Sequence, residues 1–96
     1  MLGKAELAEL LLIVKNEIKD CPYLRFGQSL WNNLCINYPQ YSKYTATKLD
    51  CFYVDKNAND LMLEILDPEA YNSWMEFWIQ FTKEDFLNFE ENKGYL

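Results

Sequence analysis

Two stretches in the first 40 residues repeat their apolar side chains at helical spacing. The first runs from Leu2 to Lys19, and the second from Phe26 to Asn37. A proline follows each stretch, at positions 22 and 39, and the residue before a proline is pushed out of the helical region. The pattern predicts two helices with these bounds, followed by a polar loop over 40–50.

The segment 50–55 is apolar in its middle but too short for more than an extended connector or a brief strand, and we expect a loop there. After it, Asp55 or Asn57 is placed to cap a helix that ends near Leu66. A stronger start signal follows at Asp67-Pro68-Glu69, where an Asx cap precedes a proline in the first turn. The polar segment therefore leads into two more helices.

The helix that starts at Pro68 has an apolar stripe formed by Tyr71, Trp74, Met75, Trp78 and Ile79. A strand over 74–81 is the alternative, because aromatic residues also favour sheets. A last short helix is expected from Lys83, carrying Phe86 and Phe89. These elements predict an all-α or mainly α fold: a compact bundle of four to five helices, with a short strand or hairpin around 50–55 as the variant.

Length and cysteine content narrow the class of protein. A chain of 96 residues, half of them hydrophobic, has enough apolar surface for one core, so a single domain over 1–96 is expected. Three widely spaced cysteines form neither a disulfide framework nor a zinc cluster, which favours the reducing cytoplasm. We expect no signal peptide and no membrane span, since the longest apolar run falls far below 18 residues.

Charge divides the chain into two unequal halves. Residues 1–49 carry six basic and four acidic side chains, whereas residues 50–96 carry three basic and eleven acidic ones. An acidic surface repels phosphate, so direct nucleic-acid binding is not expected. The partner that suits this half is another protein with a basic surface.

Candidate catalytic chemistry is sparse. The chain has no histidine, the commonest general base and transition-metal ligand, and no cysteine has an identifiable base or cation beside it. Residues 55–59 imitate the start of a calcium loop, but Asp60 replaces its turn glycine and Leu66 its bidentate glutamate. We therefore predict no catalytic residue, cofactor or metal site, and a protein that is not an enzyme.

Aromatic residues are dense near the end of the chain, with eight between positions 71 and 95. Phe77 and Phe81 lie to one side of the Trp74 and Trp78 stripe on a helix. They are therefore either part of the internal core or exposed to a partner or a second copy. Exposed aromatics with an acidic rim are typical of a protein-binding surface. The predicted partner-binding residues are Glu64, Glu69, Glu76, Phe77, Phe81, Glu84, Asp85, Glu90 and Glu91.

A further motif lies at the start of the second helix. Residues 25–34 read R-F-G-Q-x-L-x-N-x-L, and the F-Y-acid element of residues 52–55 follows. This combination resembles short uncharacterised bacterial and phage open reading frames. The resemblance implies a small accessory protein and brings no catalytic residue with it. From the residues themselves, Arg25 and Gln28 lie one turn apart, and a bridge to the loop of Asp50 and Asp55 is the simplest role for them.

Three functions follow from these patterns. The leading prediction is a small acidic, non-enzymatic module that binds another protein and, if phage-encoded, modulates or inhibits a host complex such as a nucleic-acid-handling or defence machine. The alternative is a homo-oligomer, such as a homodimer, with an aromatic self-interface. A hydrolase that uses carboxylate-bound metal is the third.

Overall fold

The fold is all-α. The computed structural model describes residues 1–81, which form four α-helices: α1 (Lys4–Asp20), α2 (Phe26–Asn37), α3 (Asn57–Ile65) and α4 (Pro68–Gln80). A 3₁₀ helix, Pro39–Tyr44, follows α2. No strand occurs in residues 1–81, so 50–55 is a loop and 74–80 is helical. The helix expected from Lys83 lies outside the described residues.

The first helix begins two residues later than predicted, because the backbone of Leu2 forms hydrogen bonds with the α3–α4 junction. The Leu2 N–H donates to the Ile65 carbonyl at 2.8 Å, and the Leu2 carbonyl accepts from the Asp67 N–H at 2.9 Å. This isolated bridge attaches the start of the chain to the α3–α4 junction. The carboxylate of Glu6 accepts the Gly3 N–H at 2.8 Å at the beginning of α1.

The Asx cap predicted for α4 is confirmed, whereas the Asx cap predicted for α3 is wrong. The Asp67 side chain accepts the Ala70 N–H at 2.8 Å, and Pro68 occupies the first turn. Helix α3 instead has Lys56 as its N-cap, with no side-chain cap hydrogen bond. Neither Asp55 nor Asn57 caps it, because Asn57 donates to the Asp50 carbonyl and the Asp55 side chain turns towards α2.

The core lies where α1, α2, α3 and α4 meet, and aromatic rings fill its centre. Phe26 is fully buried, with its ring centroid 6.3 Å from that of Trp74 and 4.7 Å from that of Phe81. Leucines and other aliphatic side chains from all four helices surround these rings. Burial of this apolar surface is the main force that holds the helices together.

The buried face of α4 is rotated relative to the predicted stripe. Its most buried positions are Ala70, Trp74 and, just after the helix, Phe81, while Ile79 of the predicted stripe is 58% exposed. Phe26 packs against Trp74 and Trp78 of the predicted stripe and also against Phe77 and Phe81 beside it, so the packed side of this segment lies between the two sets.

A polar contact joins α1 to α2 beside this core. The buried hydroxyl of Ser29 donates to Oε1 of Glu17 at 2.7 Å, and the Asn33 amide donates to the same oxygen at 3.2 Å. Buried polar groups need such partners because leaving them unpaired costs about 1–3 kcal/mol. No helix within residues 1–81 has the length and apolar character needed to cross a membrane.

Candidate functional site

The R-F-G-Q motif at the start of α2 is bound to the loop before α3 by an ion pair and hydrogen bonds. Nη1 of Arg25 lies 3.5 Å from Oδ1 of Asp55, and Nη2 of Arg25 donates to the Phe52 carbonyl. Asp50 has a local role, because its carboxylate accepts the N–H groups of Ala46 and Phe52. The bridge expected from Arg25 to this loop is therefore formed through Asp55.

Glycine is required at position 27 by the close approach of that loop. The Gly27 N–H donates to Oδ1 of Asp55 at 2.8 Å, and the Sγ of Cys51 lies 3.2 Å from the Gly27 carbonyl oxygen. A Cβ at position 27 would overlap both the Cys51 carbonyl oxygen and the Asp55 carboxylate. Gly27 thus lets the backbone of the loop pack directly on the first turn of α2.

Asp55 is the most deeply buried carboxylate described, with 1% of its side chain exposed. Its Oδ1 serves both Gly27 and Arg25, whereas its Oδ2 has no hydrogen-bond partner. A carboxylate at the positive end of a helix dipole stabilises that helix. These contacts assign Asp55 and Arg25 a structural role at the start of α2. Gln28, the other residue of the motif, lies one turn after Arg25 and is half-buried.

The three cysteines occupy different environments. Cys51 is fully buried, Cys35 is half-buried and Cys21 is exposed. Burial raises the pKa of the Cys51 thiol and, less strongly, that of Cys35, and the nearby Asp50 carboxylate adds to both shifts. A thiol whose pKa is raised is a poor nucleophile at neutral pH, because the thiolate is the reactive form.

The aromatic pair predicted as partner-binding turns inward. Phe81 is 8% exposed, and Phe77 is half-buried. Both rings contact Phe26, and the Nζ of Lys15 lies 4.9 Å from the centroid of Phe77. Phe81 is therefore a core residue of its own chain and is withdrawn from the candidate interface. Phe77 also contacts the rings of Trp74 and Phe81, so only part of its side chain is exposed.

The described acidic candidates are all on the surface. Glu64 of α3 and Glu69 and Glu76 of α4 are exposed. Residues 57–81 contain five acidic side chains and no lysine or arginine, so α3 and α4 carry no basic side chain of their own. Glu84, Asp85, Glu90 and Glu91 lie outside the described residues.

An apolar hollow lies between α3 and α4, next to these acids. It has a volume of about 340 Å³ and is lined by Met1, Leu63, Leu66, Pro68, Tyr71 and Asn72. Among its lining residues, Met1 is 80% exposed and Leu63 is 59% exposed. Glu64 and Glu69 directly follow two of the lining residues in sequence, and Glu76 lies one turn beyond Asn72.

We call this region the acidic α3–α4 surface: the hollow together with Glu64, Glu69 and Glu76. It contains three of the acids predicted to bind a partner, and all three are exposed. Its apolar side chains differ from the predicted ones. Met1 and Leu63 replace Phe77 and Phe81 as the exposed hydrophobic side chains. The exposure of Leu63 could be predicted from the sequence, because Leu63 lies outside the apolar Leu61–Ile65 face of α3. The position of Met1 could not, because it depends on the backbone bridge at Leu2.

No protein-family model, curated protein or solved structure matches this chain.

Proposed function

We propose that this protein is a small, non-enzymatic module that binds another protein through the acidic α3–α4 surface. The observation that carries the proposal is the combination at one place of an apolar hollow and three exposed acids, Glu64, Glu69 and Glu76. Apolar contact supplies affinity in such an interface, and uncompensated charge steers a basic partner towards it.

A non-enzymatic role is supported by what the reactive groups already do. Asp55 stabilises the start of α2 and pairs with Arg25, and the buried thiol of Cys51 is directed at the Gly27 carbonyl. The exposed acids lie beside apolar side chains, where they are suited to contact a partner. We place the protein in the cytoplasm, in keeping with its three free cysteines.

The resemblance of residues 25–34 and 52–55 to short phage and bacterial reading frames extends the proposal to a class of partner. An accessory protein of this kind acts by modulating or inhibiting a host complex. A nucleic-acid-handling or defence machine has the basic channel that an acidic surface fits. The protein would then compete with nucleic acid for that channel.

The experiment is an affinity capture from bacterial lysates with tagged protein at low and moderate salt, followed by direct binding of the purified partner. The test variant reverses three charges: Glu64→Lys, Glu69→Lys and Glu76→Lys. The control variant reverses two exposed acids of α1, Glu9→Lys and Asp20→Lys. We expect a partner that binds wild type and control, is weakened by salt, and is lost with the test variant.

Two results would contradict the proposal. Equal binding of the purified partner by the test and control variants would remove the acidic α3–α4 surface from the interface. Capture of the protein's own untagged copies alone, with a dimer mass in light scattering, would favour the homo-oligomer. The self-interface would then lie outside Phe81, which is already covered within its own chain.

A further inference from the structure

A second surface feature lies on the opposite side of α4, along α1. It is a groove of about 410 Å³ lined by Lys4, Leu7, Ala8, Leu11, Leu12, Lys15 and Ser73. Leu7 and Leu11 form a buried floor, whereas Leu12 at the edge is 61% exposed. Six of the seven lining residues come from α1, so the groove follows that helix, and α4 forms its other side.

Charge is segregated around α1. At 100° per residue, Lys4, Lys15 and Lys19 fall within a sector of about 60°. The four acids of the helix fall within a sector of about 80° on the other side; they are Glu6, Glu9, Glu17 and Asp20. The groove therefore has a basic edge although the protein as a whole carries a net charge of −6.

The lysines at the groove are available to a ligand. Within the described part of the chain, no carboxylate oxygen lies within 4.0 Å of the ammonium group of Lys4 or Lys15. Lys15 covers the ring of Phe77 with its ammonium group, which positions it at the boundary with α4. Helix α4 contributes only Ser73 to the lining.

The length of the groove indicates the shape of its occupant. Lys15 lies eleven positions after Lys4, which is about 16.5 Å along a helix at 1.5 Å per residue. An apolar strip of three turns beside a second helix fits an amphipathic helix, which anchors through side chains three and four positions apart. Acidic side chains on the edge of the bound helix that faces α1 would pair with the two lysines.

We propose that the groove between α1 and α4 binds an amphipathic helix of a partner protein, with acidic residues along the edge that faces Lys4 and Lys15. The opposite edge of that helix passes Glu69 and Glu76, which flank Ser73 in sequence, and therefore carries no acid. This binding site borders the acidic α3–α4 surface at Glu69 and Glu76, but its lining shares no residue with the hollow of that surface. Variants of Lys4 and Leu12 therefore test it independently of the proposed function.

The probe is a synthetic helical peptide of about 15 residues, with leucines three and four apart and glutamates along one edge. The matched peptide has lysine at each glutamate position. Binding is followed by nuclear magnetic resonance of the backbone amides of the labelled full-length protein. We expect the acidic peptide to shift Ala8, Leu12 and Ser73 and to bind at least about tenfold more tightly than the basic one.

Variants of exposed residues locate the site. Leu12→Asp and Lys4→Glu each weaken the acidic peptide by about tenfold or more. Ile13→Asp is the matched control, because Ile13 is 41% exposed on α1 but lies outside the groove lining. Unchanged melting temperatures of the three variants show that folding is intact.

Three outcomes overturn the proposal. The first is equal binding of the two peptides, and the second is a set of shifted amides away from α1 and α4. The third is displacement of the peptide by phosphatidylglycerol vesicles that shift the same amides, which would assign the basic edge to a lipid surface.

Discussion

The carboxylate of Asp55 accepts the backbone N–H of Gly27 at 2.8 Å across 28 residues of sequence. Gly27 is the second residue of α2, where a capping side chain normally comes from the N-cap residue itself. The N-cap here is Arg25, which makes no such bond and instead pairs with Asp55. The loop before α3 therefore supplies both the cap of α2 and the counter-charge of its N-cap residue, Arg25.

Loss of this carboxylate should destabilise the whole fold. Asp55→Ala removes the cap and leaves Arg25, with 14% of its side chain exposed, without this carboxylate. We expect a loss of about 2–4 kcal/mol in the free energy of unfolding, between the effect of losing a cap and that of breaking a buried pair. Urea denaturation measures it. Asp60→Ala, at an exposed position of α3, is the control and should change stability by less than about 0.5 kcal/mol.

A methyl group at position 27 should be as damaging as loss of the carboxylate. Gly27→Ala places a Cβ against the Cys51 carbonyl and Asp55, and backbone on both sides prevents relaxation. We expect a loss of about 2–3 kcal/mol, typical of overpacking a dense interior. Gly3→Ala is the control, because its Cβ meets only the flexible end of Glu6 closely. Equal melting temperatures for the two variants would contradict the close approach at Gly27.

The aromatic centre can be tested by comparing two large side chains. Phe26→Ala removes a ring in contact with four others and should cost about 3–5 kcal/mol. Ile79→Ala, at a 58% exposed position of α4, should cost less than about 1 kcal/mol. Thermal unfolding checks both values. A large effect at Ile79 would mean that the exposed side of α4 is covered in solution.

Cys51 should make stability fall at alkaline pH. Its pKa is raised in the folded protein, mainly by burial, above the ordinary value of 9.0. Above pH 9 the unfolded chain loses the proton while the folded chain keeps it, so the free energy of unfolding decreases as pH rises. One such group contributes a slope of up to about 1.4 kcal/mol per pH unit.

The comparison of wild type with Cys51→Ala isolates this contribution from that of the tyrosines. Urea denaturation between pH 8.5 and about 10.5 should give a shallower slope for the variant than for wild type. Parallel slopes would show that the Cys51 thiol ionises equally in both states. Native thiol labelling supplies a second check: Cys21 should react first and Cys51 only on unfolding.

Local signals in the sequence were sufficient for most of the helices. Helix α2 begins and ends at the predicted residues, because Phe26 opens a regular apolar repeat and Pro39 prevents its continuation. The Asp67-Pro68 pair similarly marked the start of α4, since both the cap and the proline act within one turn. Exposure of Glu64, Glu69 and Glu76 also followed from their charge and their places on these helices.

The tertiary structure decided how those helices use their side chains. Asp55, one of the two residues predicted to cap α3, caps α2 instead. Leu2 was predicted in α1 but pairs with the α3–α4 junction. Phe81 is buried and Ile79 exposed because the position of Phe26 sets which side of α4 faces the core. Periodicity defines an apolar face only to within a helical sector. The choice among neighbouring positions depends on contacts between residues far apart in the chain, which appear only when the helices pack.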